Sequence, residues 1–183
     1  KYIVSLFFNY LYLVSYPFYK DKAKQVKLTN LTELHNFKKV YNRNFVMGTE
    51  PLTSNSYINM ILIFNLAGFN LISVDDYSPN KEYNYNDNDI LYVNYPKEEL
   101  HKKMLDKSLD AVFVLDIQNS RFVSTICQTT QTMLINFDLE KTPFDSLFSN
   151  YYSKKKLKIN PFYSTDFNEY FTTDGITPKD KIT

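Results

Sequence analysis

The sequence predicts an α/β fold in which a mixed, mostly parallel sheet is flanked by helices. Three observations predict it. Short apolar runs such as Phe45-Val46-Met47 and Ala111-Val112-Phe113-Val114-Leu115 read as buried strands, because a strand covered on both faces needs no polar alternation. Stretches of helical period lie between those runs, the order that parallel strands joined by helical crossovers require. At 183 residues, 44% of them hydrophobic, the chain is long enough for one ordinary domain, or one domain and part of a second.

The segment from Tyr2 to Tyr19 is the most apolar. Ser5, Asn9, Ser15 and Pro17 interrupt it, and a membrane helix needs about twenty predominantly apolar residues. Tyr10, Tyr12 and Val14 alternate with Leu11 and Leu13, which reads as one or two buried strands. Lys20 to Lys27 reads as a charged connector, and Thr29-Asn30-Leu31-Thr32-Glu33-Leu34 as the capped start of a short helix running to Phe37. A strand over Phe45 to Met47 precedes a helix from Ser54 to Ala67, with Gly68 as its stop. Asn70 to Val74 is a strand, Asp75-Asp76 a turn, and the Asn/Tyr/Asp-rich stretch Lys81 to Asp89 an exposed, mobile loop. Ile90 to Val93 is extended. Pro96 opens a helix to Lys107 whose order of charge, Glu98 and Glu99 first and Lys102, Lys103 and Lys107 later, suits the helix dipole. Ala111 to Leu115 is a strand, Arg121 to Gln128 a helix and Met133 to Phe137 a last strand.

The junction at Gly48-Thr49 carries the strongest functional signal. An apolar strand breaks there into a polar loop that feeds a helix, and a glycine lets backbone turn and approach a ligand closely. Free N–H groups and the dipole of the following helix favour a carboxylate or phosphate. The chain has only three glycines, so one at such a junction is a deliberate feature.

Composition narrows the partners. With 21 basic and 20 acidic residues and a net charge of +1, no global field recruits nucleic acid or anionic membrane. The basic cluster Lys154-Lys155-Lys156-Leu157-Lys158 reads as a solvated loop. One cysteine, Cys127, rules out an internal disulfide framework and a cysteine-only zinc site. His35 and His101 stand far apart, so neither a metal nor a cofactor is expected. With Lys1 at its start, the chain reads as a processed product or a fragment.

The order of motifs resembles a family. The strand at Val46, the loop Gly48-Thr49-Glu50 through Ser54-Asn55-Ser56, then helix, strand, and a second helix ending in Lys107-Ser108 before Leu109-Asp110-Ala111-Val112-Phe113-Val114 resemble the second lobe of a type II periplasmic binding protein. Within that group the chain is most similar to the solute-binding subunits of tripartite TRAP transporters of the TAXI kind. Leu34-His35-Asn36-Phe37-Lys38-Lys39-Val40 stands where the family has an Asp-Leu-Lys-Gly-Lys stretch, and Pro51-Leu52-Thr53 replaces its Gly-Ser-Gly. The likeness covers residues 1–165. It implies crossover strands of the first lobe and hinge over 1–19, a complete second lobe over 20–140 and a return segment through the hinge over 141–183. Most of the first lobe would lie before Tyr2 or be supplied by another chain.

The resemblance implies a non-enzymatic, periplasmic or otherwise extracytoplasmic protein that captures a small organic acid or amino acid for a membrane transporter. The ligand-binding residues would be Gly48, Thr49, Thr53, Ser54 and Ser56 around its carboxylate, Gln118 and Asn119 on its polar body, and Tyr10 beside them. The hydroxyls of the loop also suit plain helix capping, Tyr10 suits core packing, and Asp110 reads as structural. Two alternatives use the same scaffold. A sensory or interaction domain without transport suits the replaced Gly-Ser-Gly. An enzyme related to those that form the thiamine pyrimidine wants a positioned acid–base pair, for which the chain offers Cys127, His35 and His101.

Overall fold

The computed structural model describes residues 9–75, 77–78, 83, 85–117 and 120–138, together with the backbone of two later strands. β1 (Asn9–Ser15) lies within the predicted apolar stretch; Tyr2 to Phe8 fall outside the described residues. Instead of a bare connector, the charged segment forms a hairpin of β2 (Tyr19–Asp21) and β3 (Val26–Lys27). Gln25 takes a left-handed φ of 52° there, and Asp21 Oδ1 accepts the Lys24 N–H at 3.1 Å.

The short helix begins with 3-10 geometry over Leu31–Asn36 and continues as α1 (Phe37–Tyr41). Its start is held by the Glu33 carboxylate, which accepts the Thr29 and Asn30 N–H groups at 2.7 and 3.1 Å. β4 is Phe45–Thr49, α2 is Asn55–Leu66 and β5 is Asn70–Ser73. Gly68, at φ 82°, makes the turn that ends α2; a side chain would be strained there. β6 (Asp89–Asn94), α3 (Lys97–Leu105), β7 (Ala111–Ile117) and α4 (Arg121–Thr130) follow. The last predicted strand shortens to β8 (Met133–Leu134), because Asn136 leaves to bridge Asn30. β9 (Tyr152–Lys156) pairs antiparallel with β10 (Asp174–Pro178), so Lys154 to Lys156 belong to a strand and not to a loop.

The sheet runs β5-β6-β4-β7-β1-β8. β5, β6, β4 and β7 are mutually parallel. β1 lies antiparallel between β7 and β8, with Leu13 opposite Phe113 and Val14 opposite Leu134. The result is a mixed, mostly parallel sheet, whose four parallel neighbours are those the element order predicts.

Strand periodicity sorts the core into two layers. Leu11, Leu13, Phe45, Met47, Ile90, Ala111 and Phe113 face one side and meet Met60, Ile63 and Phe64 of α2, with Leu31 and Leu34 closing one end. Val14, Val46, Leu91, Val93, Val112 and Val114 face the other and meet Leu100 and Met104 of α3 and Val123 and Ile126 of α4. Both faces are covered, which is why β4 and much of β7 read as continuous apolar runs. No helix among the described residues is long and apolar enough to cross a membrane.

Candidate functional site

The parallel strands all present their carboxyl ends at one edge of the sheet. β4 ends at Thr49, β6 at Asn94 and β7 at Ile117, and α2, α3 and α4 begin a few residues later. α2 covers one face while α3 covers the other. Neighbouring strands β4 and β6 therefore send the chain to opposite sides of the sheet. Open α/β sheets hold ligands at such a divergence.

A polar network occupies this edge. Lys97 Nζ lies 2.9 Å from Asp116 Oδ2 and 4.0 Å from Glu50 Oε1. Ser120 Oγ donates to Asp116 Oδ2 at 2.8 Å, and the Ile117 N–H donates to Asp116 Oδ1 at 2.8 Å. Ser56 Oγ donates to the Glu50 carboxylate and accepts the Leu115 N–H at 2.9 Å. Asn94 Nδ2 donates to the Glu50 carbonyl at 2.8 Å. The Lys97 ammonium also sits 5.6 Å from the centre of the Phe122 ring, where a cation is attracted by the ring quadrupole. Burial acts to raise the Asp116 pKa, but the bonds from Lys97, Ile117 and Ser120 outweigh it and hold this carboxyl below its usual range.

The sequence-predicted residues part company here. Gly48 and Thr49 belong to β4 and not to the loop, which begins at Glu50. A Cβ on Gly48 would lie 2.5 Å from Leu100 Cδ2 and 2.6 Å from Leu109 Cδ1, so its missing side chain is the space into which two leucines pack. Thr49 is fully buried and donates its hydroxyl to the Phe113 carbonyl at 3.0 Å. Tyr10 is buried in the layer beneath α3 and α4. Ser54 caps α2, its Oγ accepting the Tyr57 N–H at 3.1 Å. Ser56 is buried inside the network, whereas Thr53 is exposed. Gln118 and Asn119 lie outside the described residues.

Glu50 and Lys97 are not singled out by the sequence, whereas Asp116 reads with the loop Asp116-Ile117-Gln118-Asn119-Ser120 at the carboxyl end of its strand, divided between ligand contact and helix capping. Their signal was positional: each lies at or just beyond the carboxyl end of a strand that the apolar runs predict. Which strands neighbour one another, and so which of these ends converge, is not written in the runs. Asp110 marks the opposite edge of the sheet and is structural, as its position before β7 implies. It receives Arg43 Nη1 at 2.6 Å and Nη2 at 2.7 Å and the Val46 N–H at 2.8 Å.

The histidines are separately engaged. His35 stacks on Phe69 with ring centres 4.0 Å apart, its Nε2 2.9 Å from the Ala67 carbonyl and its Nδ1 3.0 Å from Asn88 Oδ1. His101 Nε2 lies 2.9 Å from Thr129 Oγ1. Among the described residues no group of three or more His, Cys, Asp or Glu is placed to hold a metal ion. The sequence matches no protein-family model and no curated protein.

Proposed function

We propose that this chain is a non-enzymatic solute-binding protein of the type II periplasmic-binding-protein kind. It holds a small carboxylate-bearing ligand, an organic acid or an amino acid, at the carboxyl edge of the sheet and delivers it to a membrane transporter outside the cytoplasm. The observation that carries the reading is the divergence of β4 and β6, whose following helices cover opposite faces of the sheet.

The residue roles follow from the chemistry of that edge. The first turn of α2 offers backbone N–H groups and the positive end of the helix dipole to a carboxylate. Thr53 and Ser54 add hydroxyls beside it, and Gln118 and Asn119 bond the polar body of the ligand. Glu50 and Asp116 outnumber Lys97 by one charge, which favours a ligand carrying an ammonium group as well as a carboxylate. Gly48, Thr49 and Tyr10 act behind this surface, through packing. A second lobe or another chain covers this edge.

Calorimetric titration of the full chain with dicarboxylates and with amino acids tests the reading. Binding heat is expected from at least one class, with affinity lowered about tenfold in a Thr53→Ala, Ser54→Ala variant. No heat from either class, with no difference in the variant, sinks it.

One observation favours an interaction domain instead. Leu52 and Ile117 stand 58% and 49% exposed beside the carboxyl edge, the kind of apolar rim a protein partner covers. On that reading a Leu52→Ser, Ile117→Ser variant changes the association state in light scattering and no solute gives heat.

A further inference from the structure

We infer that Lys97 is an ionic strap that couples the first turns of α2 and α4, so that the two loosen together or not at all. The inference rests on the side-chain network and not on any ligand.

Each carboxylate of the network is already tied to the start of one helix. Glu50 follows β4 and receives the hydroxyl of Ser56, in the first turn of α2. Asp116 lies near the end of β7 and receives the hydroxyl of Ser120, the residue that caps α4 by accepting the Val123 N–H at 3.1 Å. Lys97, the first residue of α3, stands between them with its ammonium directed at both. The two carboxylates are about one-fifth exposed and Lys97 about one-third, so solvent screens the trio only in part. A neutral side chain at 97 leaves the two negative charges, each within 4.0 Å of the present ammonium, with no cation between them. Their repulsion drives the two helix starts apart, and because the charge is shared, both feel it at once.

Amide exchange of the full chain by NMR reads this directly. The reporters are Tyr57 and Ile58, whose N–H groups bond to Ser54, and Val123 and Ser124, whose N–H groups bond to Ser120. At low salt, Lys97→Met is expected to speed exchange at all four by about fivefold, with ladder amides of β4 and β7 unchanged, and Lys97→Arg to restore the slow rates. Acceleration of one pair without the other, of neither pair, or of the ladder along with both overturns the inference. If Lys97→Met does not fold, the unaltered chain carries the test. Raising salt to about 1 M, where screening reaches within about 3 Å, should speed both pairs together. Salt-independent rates overturn the strap and leave the ligand reading untouched.

Discussion

Arg43 and Asp110 form a two-pronged ion pair, with both guanidinium-to-carboxylate distances below 2.8 Å, between the chain entering β4 and the chain entering β7. Asp110 is buried, and one of its oxygens also accepts the Val46 N–H. The guanidinium lies 5.1 Å from the Phe37 ring centre and 5.8 Å from that of Phe18. A single carboxylate thus sets the register in which two parallel strands begin.

Removing that carboxylate strands a partly buried cation and a buried N–H. Asp110→Ala is expected to lower stability by about 2–4 kcal/mol, read as a shifted urea midpoint with unchanged slope. Arg43→Lys keeps the charge but loses the fork, and about 1 kcal/mol is expected from it. No loss from Arg43→Lys would show that charge alone matters.

Gly48 gives a prediction that separates packing from ligand contact. Gly48→Ala forces a methyl against Leu100 and Leu109, both buried, and should cost about 1–3 kcal/mol. Adding Leu100→Ala frees the space, so the double variant should lose less than the sum of the two single losses in denaturation experiments. Strict additivity would refute the contact.

Acid should weaken the fold in a defined window. At both Asp116 and Glu33 burial acts to raise the pKa. Bonds from Lys97, Ile117 and Ser120 at Asp116, and from Lys20, Thr29 and Asn30 at Glu33, outweigh it and leave both values lowered. A carboxylate whose folded pKa lies below its unfolded value stabilises the fold above the unfolded value, about 4. That contribution is lost as pH falls through the folded value. Denaturation midpoints should therefore drop below pH ~4, and Asp116→Asn with Glu33→Gln should flatten that drop.

Cys127 is half-buried and should react slowly in the folded chain. Burial pushes its thiol up to about 11, against a smaller opposing effect from a bond with Thr132, so almost no thiolate exists at pH ~8. Alkylation by iodoacetamide at that pH should track the fraction unfolded across a urea series. Fast labelling without denaturant would contradict the raised pKa.

The sequence by itself determined the α/β class, because buried strands and helical periods differ in spacing whatever surrounds them. It located β4, α2, β7 and α4 to within a few residues, and it placed Gly68 at the end of α2. It also marked the carboxyl edge of β4 as the place to look. Only the tertiary structure decided which residues stand on that edge. Gly48 looked like a turn glycine, yet a strand buried on both faces shows no alternation to say that its hydrogen faces Leu100 and Leu109. Lys97, Glu50 and Asp116 lie on three separate connections, and their meeting depends on β4 lying between β6 and β7. Strand order is fixed by contacts between distant segments, and the local spacing of residues does not encode it.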